Sequence, residues 1–328
     1  MFKKLFFFTI IFSSVFGSSA YAGVDAEVAY ILNTFSFLVC GFLVMWMAAG
    51  FCMLESGLVT TRSVSTIAAK NIGKFAIVSI MFYLVGYNLG YDIPEVGYIG
   101  SFSTWSDTSF LEQGYSDSSD WFFQTLFVCA TASIVSGAVA ERIKIWPFII
   151  FAGILGGLIY PIQMGWQWGG GWLAELGFHD FAGSTIVHAC GGAAALAGVI
   201  LLGPRLGRFT DDGSPANMEP FAASSIPLVT LGTFILWMGW YGFNGGSQLA
   251  LGSFEDSTAM GKIFVNAHLA GCGGCAAGAI ITRLVGGKTD IIMMLNGALA
   301  GLVSITAGPL DPSPMAAILI GAVGGLIM

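Results

Sequence analysis

The sequence predicts an all-α polytopic membrane protein on three observations: sparse charge, apolar runs of span length, and basic residues confined to alternate connections. Of 328 residues, 55% are hydrophobic and 9% are Asp, Glu, Lys or Arg. Soluble domains carry about 25% charge, so this chain lacks the polar surface a water-soluble globule needs. That excludes a soluble enzyme, a nucleic-acid binder and a disordered chain. A transmembrane β-barrel is excluded as well, because its strands alternate every second residue and these apolar runs are continuous. Lipid offers no partner to exposed backbone groups, so the runs are helices.

In chain order, the first element is a leader. Lys3 and Lys4 precede the apolar stretch Leu5 to Phe16, and Ala20-Tyr21-Ala22 has the small-residue pattern of a cleavage site. This is the layout of a secretory signal peptide over residues 1–22. Its apolar part is too short to cross about 30 Å of hydrocarbon. The mature chain is expected to start near Gly23, on the outer side. Nine spans follow, near 31–54, 66–91, 120–140, 146–164, 183–203, 224–244, 259–282, 290–308 and 314–328. Eight are complete; the ninth is partial, about 22 Å of helix, and the expectation is a fragment cut at its C-terminus.

Charge supports this order. With the mature N-terminus outside, Lys and Arg should gather in the inner connections. Arg62, Lys70 and Lys74 flank the first of these, Arg142 and Lys144 the second, Arg205 and Arg208 the third, Arg283 and Lys288 the fourth. Lys262 is the exception. The acids lie opposite: Asp92, Glu95, Asp107, Glu112, Asp117 and Asp120 occupy segment 92–120 without a basic residue. Glu175, Asp180, Glu255, Asp256 and Asp311 add to that side. Such a mouth would concentrate a cation; ordinary solvation accounts for the same pattern.

Ionisable groups within spans are site candidates by default. His179, His188 and His268 are the histidines. Asp180 stands where the fifth span begins, placed to cap it, and His188 lies eight residues on, about 12 Å deeper. Helical spacing puts Ser184, His188 and Gly192 on one face. Trp166, Trp168 and Trp172 surround Gly169–Gly171; Phe123 and Phe127 share a face; Trp237, Trp240, Tyr241 and Phe243 precede Asn244-Gly245-Gly246-Ser247. These aromatics suit an interfacial belt or a site that holds a cation on ring faces. All six cysteines fall in apolar runs, and Cys272-Gly-Gly-Cys275 reads as small packing residues rather than a metal or redox pair.

The run Asp180-Phe181-Ala182-Gly183-Ser184-Thr185-Ile186-Val187-His188 resembles the signature of the ammonium transporter (Amt/Mep/Rh) family. Further blocks match in order: Phe123-Gln124-x-x-Phe127 with Gly137-Ala138-x-Ala140-Glu141-Arg142, Trp168-Gly169-Gly170-Gly171, Gly242-Phe243-Asn244-x-Gly246-Ser247, and Asn296-Gly297 through Thr306. The resemblance covers about residues 31–328. It implies a homotrimer in a bacterial inner membrane, each subunit an eleven-helix bundle of inverted five-helix repeats with its own hydrophobic pore. By matching position, Phe127, Trp168 and Ser247 would recruit ammonium, Phe127 and Phe243 would form the gate, and Asp180 would support the cation site. His188 and, more weakly, Thr306 would line the pore.

The family's second pore histidine belongs to a tenth helix; His268, in the seventh span, does not match it. The resemblance implies no cofactor, no covalent chemistry and no nucleic-acid partner. A small cytoplasmic regulatory protein at the inner face is a further implied partner. The alternative function is an ammonium-sensing domain of a larger signalling protein. An intramembrane hydrolase using His188 and Asp180 would need a nucleophile or metal cluster that the sequence does not offer.

Overall fold

A computed structural model describes residues 24–94, 97–217 and 219–328. The leader 1–22, Gly23 and Glu95 lie outside the described residues. Those described form helices joined by loops. Seven helices are long and apolar enough to cross a membrane: α1 Ala26–Leu58, α2 Thr61–Tyr91, α3 Asp117–Ala138, α4 Ile145–Gly165, α5 Ser184–Leu202, α6 Ile226–Gly246 and α7 Phe254–Gly286. Two shorter apolar helices follow, α8 Ile291–Ile305 and α9 Pro314–Ile327.

The expected spans are all present, with two revisions. Polar ends continue as helix, so α1, α2 and α7 start about five residues before their apolar runs. The eighth, expected to be complete over 290–308, is a 15-residue helix of about 22 Å. Thr306 caps it and Pro309 follows before a further turn can add length.

Loop contacts define two faces. On the upper face, where α1 begins, the Asn33 amide oxygen accepts the N–H groups of Leu251 and Gly252 at 2.7 and 3.1 Å. Its amide nitrogen donates to the Gly114 carbonyl at 3.0 Å. On the lower face, Ser225 N–H donates to the Gly57 carbonyl, and the Glu141 carboxylate accepts from Thr60 and Ser63 and pairs with Arg205. Arg142 reaches the Gly203 carbonyl at 2.8 Å.

Helix α1 packs along α6 at backbone distance. A Cβ at Gly57 would lie 2.6 Å from Val229 Cγ2 and 2.7 Å from the Ser225 carbonyl, so only glycine fits there. Around Gly274 the backbones of α7 and α8 meet in the same way, and Gly273 abuts α9. The Cys272-Gly-Gly-Cys275 stretch thus marks a three-helix contact.

Two of the cations expected to flank the first inner connection are enclosed within the bundle. Lys70 and Lys74 lie inside α2 at 2% and 1% exposure. Lys70 is 3.5 Å from Glu55 Oε2 and donates to the Ser136 carbonyl at 2.7 Å. Lys74 donates to Asn71 Oδ1 at 2.7 Å and Ser133 Oγ at 2.6 Å. Apart from Asn71, their partners lie on α1 and α3, outside the local sequence, so hydropathy alone places these lysines at a span end.

Candidate functional site: an aromatic passage between two cavities

The site is built outward from Asp180. Its carboxylate accepts four backbone N–H bonds, from Gly183 and Ser184 at 2.8 and 3.0 Å and from Thr185 and Ile186 at 2.7 and 2.9 Å. These are the donors that the start of α5 leaves unpaired, and a buried negative charge suits the positive end of the helix. Gly183 turns the chain at φ 104°, a conformation that glycine adopts without strain. The Asp180 carbonyl accepts from the Trp168 indole N–H at 2.8 Å, which fixes that ring. The loop also pins α5 to α8, since Phe181 and Ala182 donate to the Ala307 and Thr306 carbonyls.

The expected face of Ser184, His188 and Gly192 is interrupted before Gly192 by a change of helical pitch. Residues Ser184–Ala189 wind as a π-turn, wider than an α-turn, which rotates His188 away from its α-helical register. His188 is buried, whereas Gly192 is exposed. The Gln163 amide donates to the Ile186 carbonyl at 2.7 Å, and Ser184 Oγ donates to the Val303 carbonyl at 2.5 Å, so the wider turn is held from two sides.

Trp168, Phe127, Phe243, His188 and Trp240 then form a continuous row of rings. Phe127 and Phe243 are stacked, with centroids 3.9 Å apart and planes at 23°. Trp168 meets Phe127 edge-on at 5.9 Å, and Phe123 supports it at 4.7 Å. Below the stack, His188 lies 5.5 Å from Phe243 and is stacked on Trp240 at 5.0 Å. The Trp240 indole donates to Thr306 Oγ1 at 2.8 Å, and that hydroxyl donates to the Leu302 carbonyl at 2.7 Å. Thr306 is fully enclosed with its hydroxyl committed, so it positions Trp240 rather than facing open space.

Each end of this row borders a cavity. The upper one, about 540 Å³, is bordered by Trp168, Asp180, Ser247, Tyr87, Tyr91 and Asp120. Ser247 ends α6 and donates to the Phe243 carbonyl at 2.8 Å. The lower one, about 420 Å³, is walled by Phe51, Leu54, Leu236, Trp240, Glu55 and His188, whose Nε2 has no partner among the described residues. Phe127 and Phe243, at 1% and 0% exposure, stand between the two.

Several residues named from the sequence fall elsewhere. Trp166 and Trp172 pack on each other and on Tyr98 at the upper surface. Trp237 and Tyr241 surround His268, which bonds the Tyr241 hydroxyl at 2.8 Å away from the row of rings. Asp117 and Asp120, expected in a solvated mouth, are buried in the first turn of α3. Sequence reasoning grouped Trp240 with aromatics that suit either a belt or a cation site, and did not single out Tyr87. It also passed over Glu55, whose single acidic letter inside an apolar run was the available signal.

These features define an α-helical multi-pass membrane protein with a narrow aromatic passage between two cavities. The chain belongs to the Ammonium Transporter Family, whose sequence profile matches residues 35–328. Ammonium transporter Amt2 of Archaeoglobus fulgidus is 41% identical over 306 residues, covering 88% of this chain and 62% of that protein. Ammonium transporter 3 of Dictyostelium discoideum is 33% identical over 318 residues, 96% of this chain and 72% of that one. Among solved structures, one titled Sensor Amt Protein superposes with a TM-score of 0.85 at 32% identity, covering 92% of this chain and 75% of that one. Candida albicans Mep2 gives 0.79 at 26% identity, covering 93% and 67%. The chain spans 55 to 72% of the length of the curated relatives compared.

Proposed function

We propose that the protein transports ammonium, taking the cation from the upper cavity and passing the uncharged molecule through the aromatic stack to the lower one. One observation carries this reading: a cavity with carboxylate and aromatic walls is separated by stacked rings from a mostly apolar cavity that holds a neutral-capable imidazole. Moving a small cation into a medium of low dielectric carries an idealised cost of order 20 kcal/mol. Leaving the proton behind avoids most of that cost. Aromatic faces and the Ser247 hydroxyl can hold the ion, contributing about 2 kcal/mol or more per desolvated cation–π contact. The His188 nitrogen without a partner offers a hydrogen bond to ammonia beyond the stack.

In this reading Phe127, Trp168 and Ser247 recruit the ion and Phe127 and Phe243 gate it. Asp180 acts by holding Trp168 and the start of α5. No covalent chemistry takes part. Relatives carrying the name ammonium transporter support the substrate. The remaining parts of the proposal are one transport domain over residues 23–328 behind a cleaved leader of 1–22, the upper face outside a bacterial inner membrane, a homotrimer, and a regulatory protein at the lower face.

Labelled methylammonium uptake tests it, in an uptake-deficient host expressing the native gene. Uptake should saturate, be competed by ammonium, and fall to background in Asp180→Ala. Wild-type uptake no greater than that of the empty host contradicts it. A second reading, an ammonium-sensing membrane domain, draws on the similarity to the structure titled Sensor Amt Protein. A signalling output that responds to ammonium in cells without uptake would favour that reading.

A further inference from the structure

Among the described residues, three buried carboxylates lie at the upper end of the bundle, and two are saturated. Asp180 is satisfied by four backbone N–H groups. Asp117 accepts from the N–H and hydroxyl of Thr108 at 2.9 and 2.7 Å, and from the Gln113 amide. Asp120 differs. It is 6% exposed, borders the upper cavity, and accepts a hydrogen bond from the Tyr87 hydroxyl at 2.5 Å. The ion pairs among the described residues are Lys70–Glu55 and Arg205–Glu141, so no base neutralises Asp120 there. One turn along α3, Gln124 hydrogen-bonds Asp120 through its side chain and borders the same cavity at 7% exposure, and its Oε1 has no partner among the described residues. Across the cavity, Gln167 Oε1 is also unpartnered among the described residues.

A buried carboxylate without a counter-ion is costly, and buried amide oxygens ordinarily find a donor. Three such acceptors around one cavity match a ligand that is positive and rich in N–H groups. We propose that Asp120 and Gln124, with the rings of Tyr87 and Tyr91, form a second cation subsite in the upper cavity, beside the Trp168–Ser247 position, that holds ammonium or methylammonium. This rests on the transport reading and extends it. The Asp120 carboxylate supplies the charge, the Gln124 and Gln167 oxygens take directed N–H bonds, and the tyrosine faces supply cation–π attraction. The subsite loads the vestibule before the ion reaches the stacked rings, so it governs apparent affinity rather than maximal rate.

The test is methylammonium uptake across a concentration series in wild type, Asp120→Asn and Gln124→Met. Asparagine keeps the volume and can still accept from Tyr87. Losing a charge-assisted hydrogen bond predicts a half-saturating concentration raised about tenfold or more in Asp120→Asn. Gln124→Met should raise it a few-fold, and maximal rates should stay within about twofold. Half-saturation unchanged in both variants overturns the subsite, as does a fall in maximal rate alone. If Asp120→Asn fails to reach the membrane, Gln124→Met decides. Potassium that competes with wild-type uptake as well as ammonium does would make this a metal-cation site and overturn the assignment. Absent wild-type uptake removes the transport reading; normal uptake with unaltered variants removes only the subsite.

Discussion

Replacing Asp180 tests how the site is assembled. Its carboxylate accepts four backbone N–H bonds at 2.7 to 3.0 Å and is 1% exposed, so water cannot replace it without rearrangement. Asp180→Ala leaves four donors unmet, two of them in buried and two in part-buried hydrogen bonds. At about 1 kcal/mol of uncompensated desolvation each, the loss is roughly 4 kcal/mol, beyond the 0.5–2 kcal/mol of an ordinary N-cap. Asp180→Asn keeps an acceptor for one N–H pair and turns an amide NH₂ toward the other, for a loss of about 2 kcal/mol. Unfolding of detergent-purified protein should rank wild type above Asn and Asn above Ala. Trp168 should lose its fixed position in both, because its indole bonds the carbonyl of the same residue. If Ala and Asn both unfold within about 1 kcal/mol of wild type, the cap is not what holds this end of α5.

Other parts of the structure predict separate outcomes. Phe243→Ala removes half of the stack between the cavities and should cost about 3–5 kcal/mol; flux assays should find potassium leaking where wild type excludes it. Glu55→Ala leaves Lys70 buried without its ion partner and should cost about 3–5 kcal/mol. The double variant Glu55→Leu with Lys70→Met should recover much of that, measured by the same unfolding series. On the lower face, burial of Glu141 opposes its charge, but bonds from Thr60, Arg205 and Ser63 outweigh this and hold its carboxyl at about 2. Because its folded pKa is depressed, its contribution is complete above the ordinary carboxylate value of about 4.3 and fades as pH falls toward 2. An acid unfolding series should therefore flatten in Glu141→Gln between those limits.

What could be read from sequence was what short-range pattern controls. Apolar runs located the helices, Asp180 announced a helix start, and the family resemblance, rather than pattern alone, named Phe127, Trp168, Phe243 and Ser247 before their distances were known. Residues whose environment comes from distant chain were not legible. Lys70 and Lys74 read as cations flanking an inner connection because hydropathy cannot see Glu55, Ser133 and Ser136 closing around them. The π-turn at His188 depends on Gln163 and Val303, supplied by α4 and α8. Asp120 looked like one more solvated acid, because the tyrosine that bonds it lies 33 residues earlier. The missed features are all tertiary, and each concerns a charged or polar group inside the bundle.

The central claim is that the row of rings separates a cation-holding cavity from an apolar one and lets only the uncharged molecule through. Purified protein in liposomes tests it directly, with labelled methylammonium and labelled rubidium offered together. The account predicts saturable methylammonium uptake, competed by ammonium, with rubidium entering no faster than in protein-free liposomes. Rubidium entering in parallel with methylammonium, or neither exceeding the protein-free rate, would contradict it.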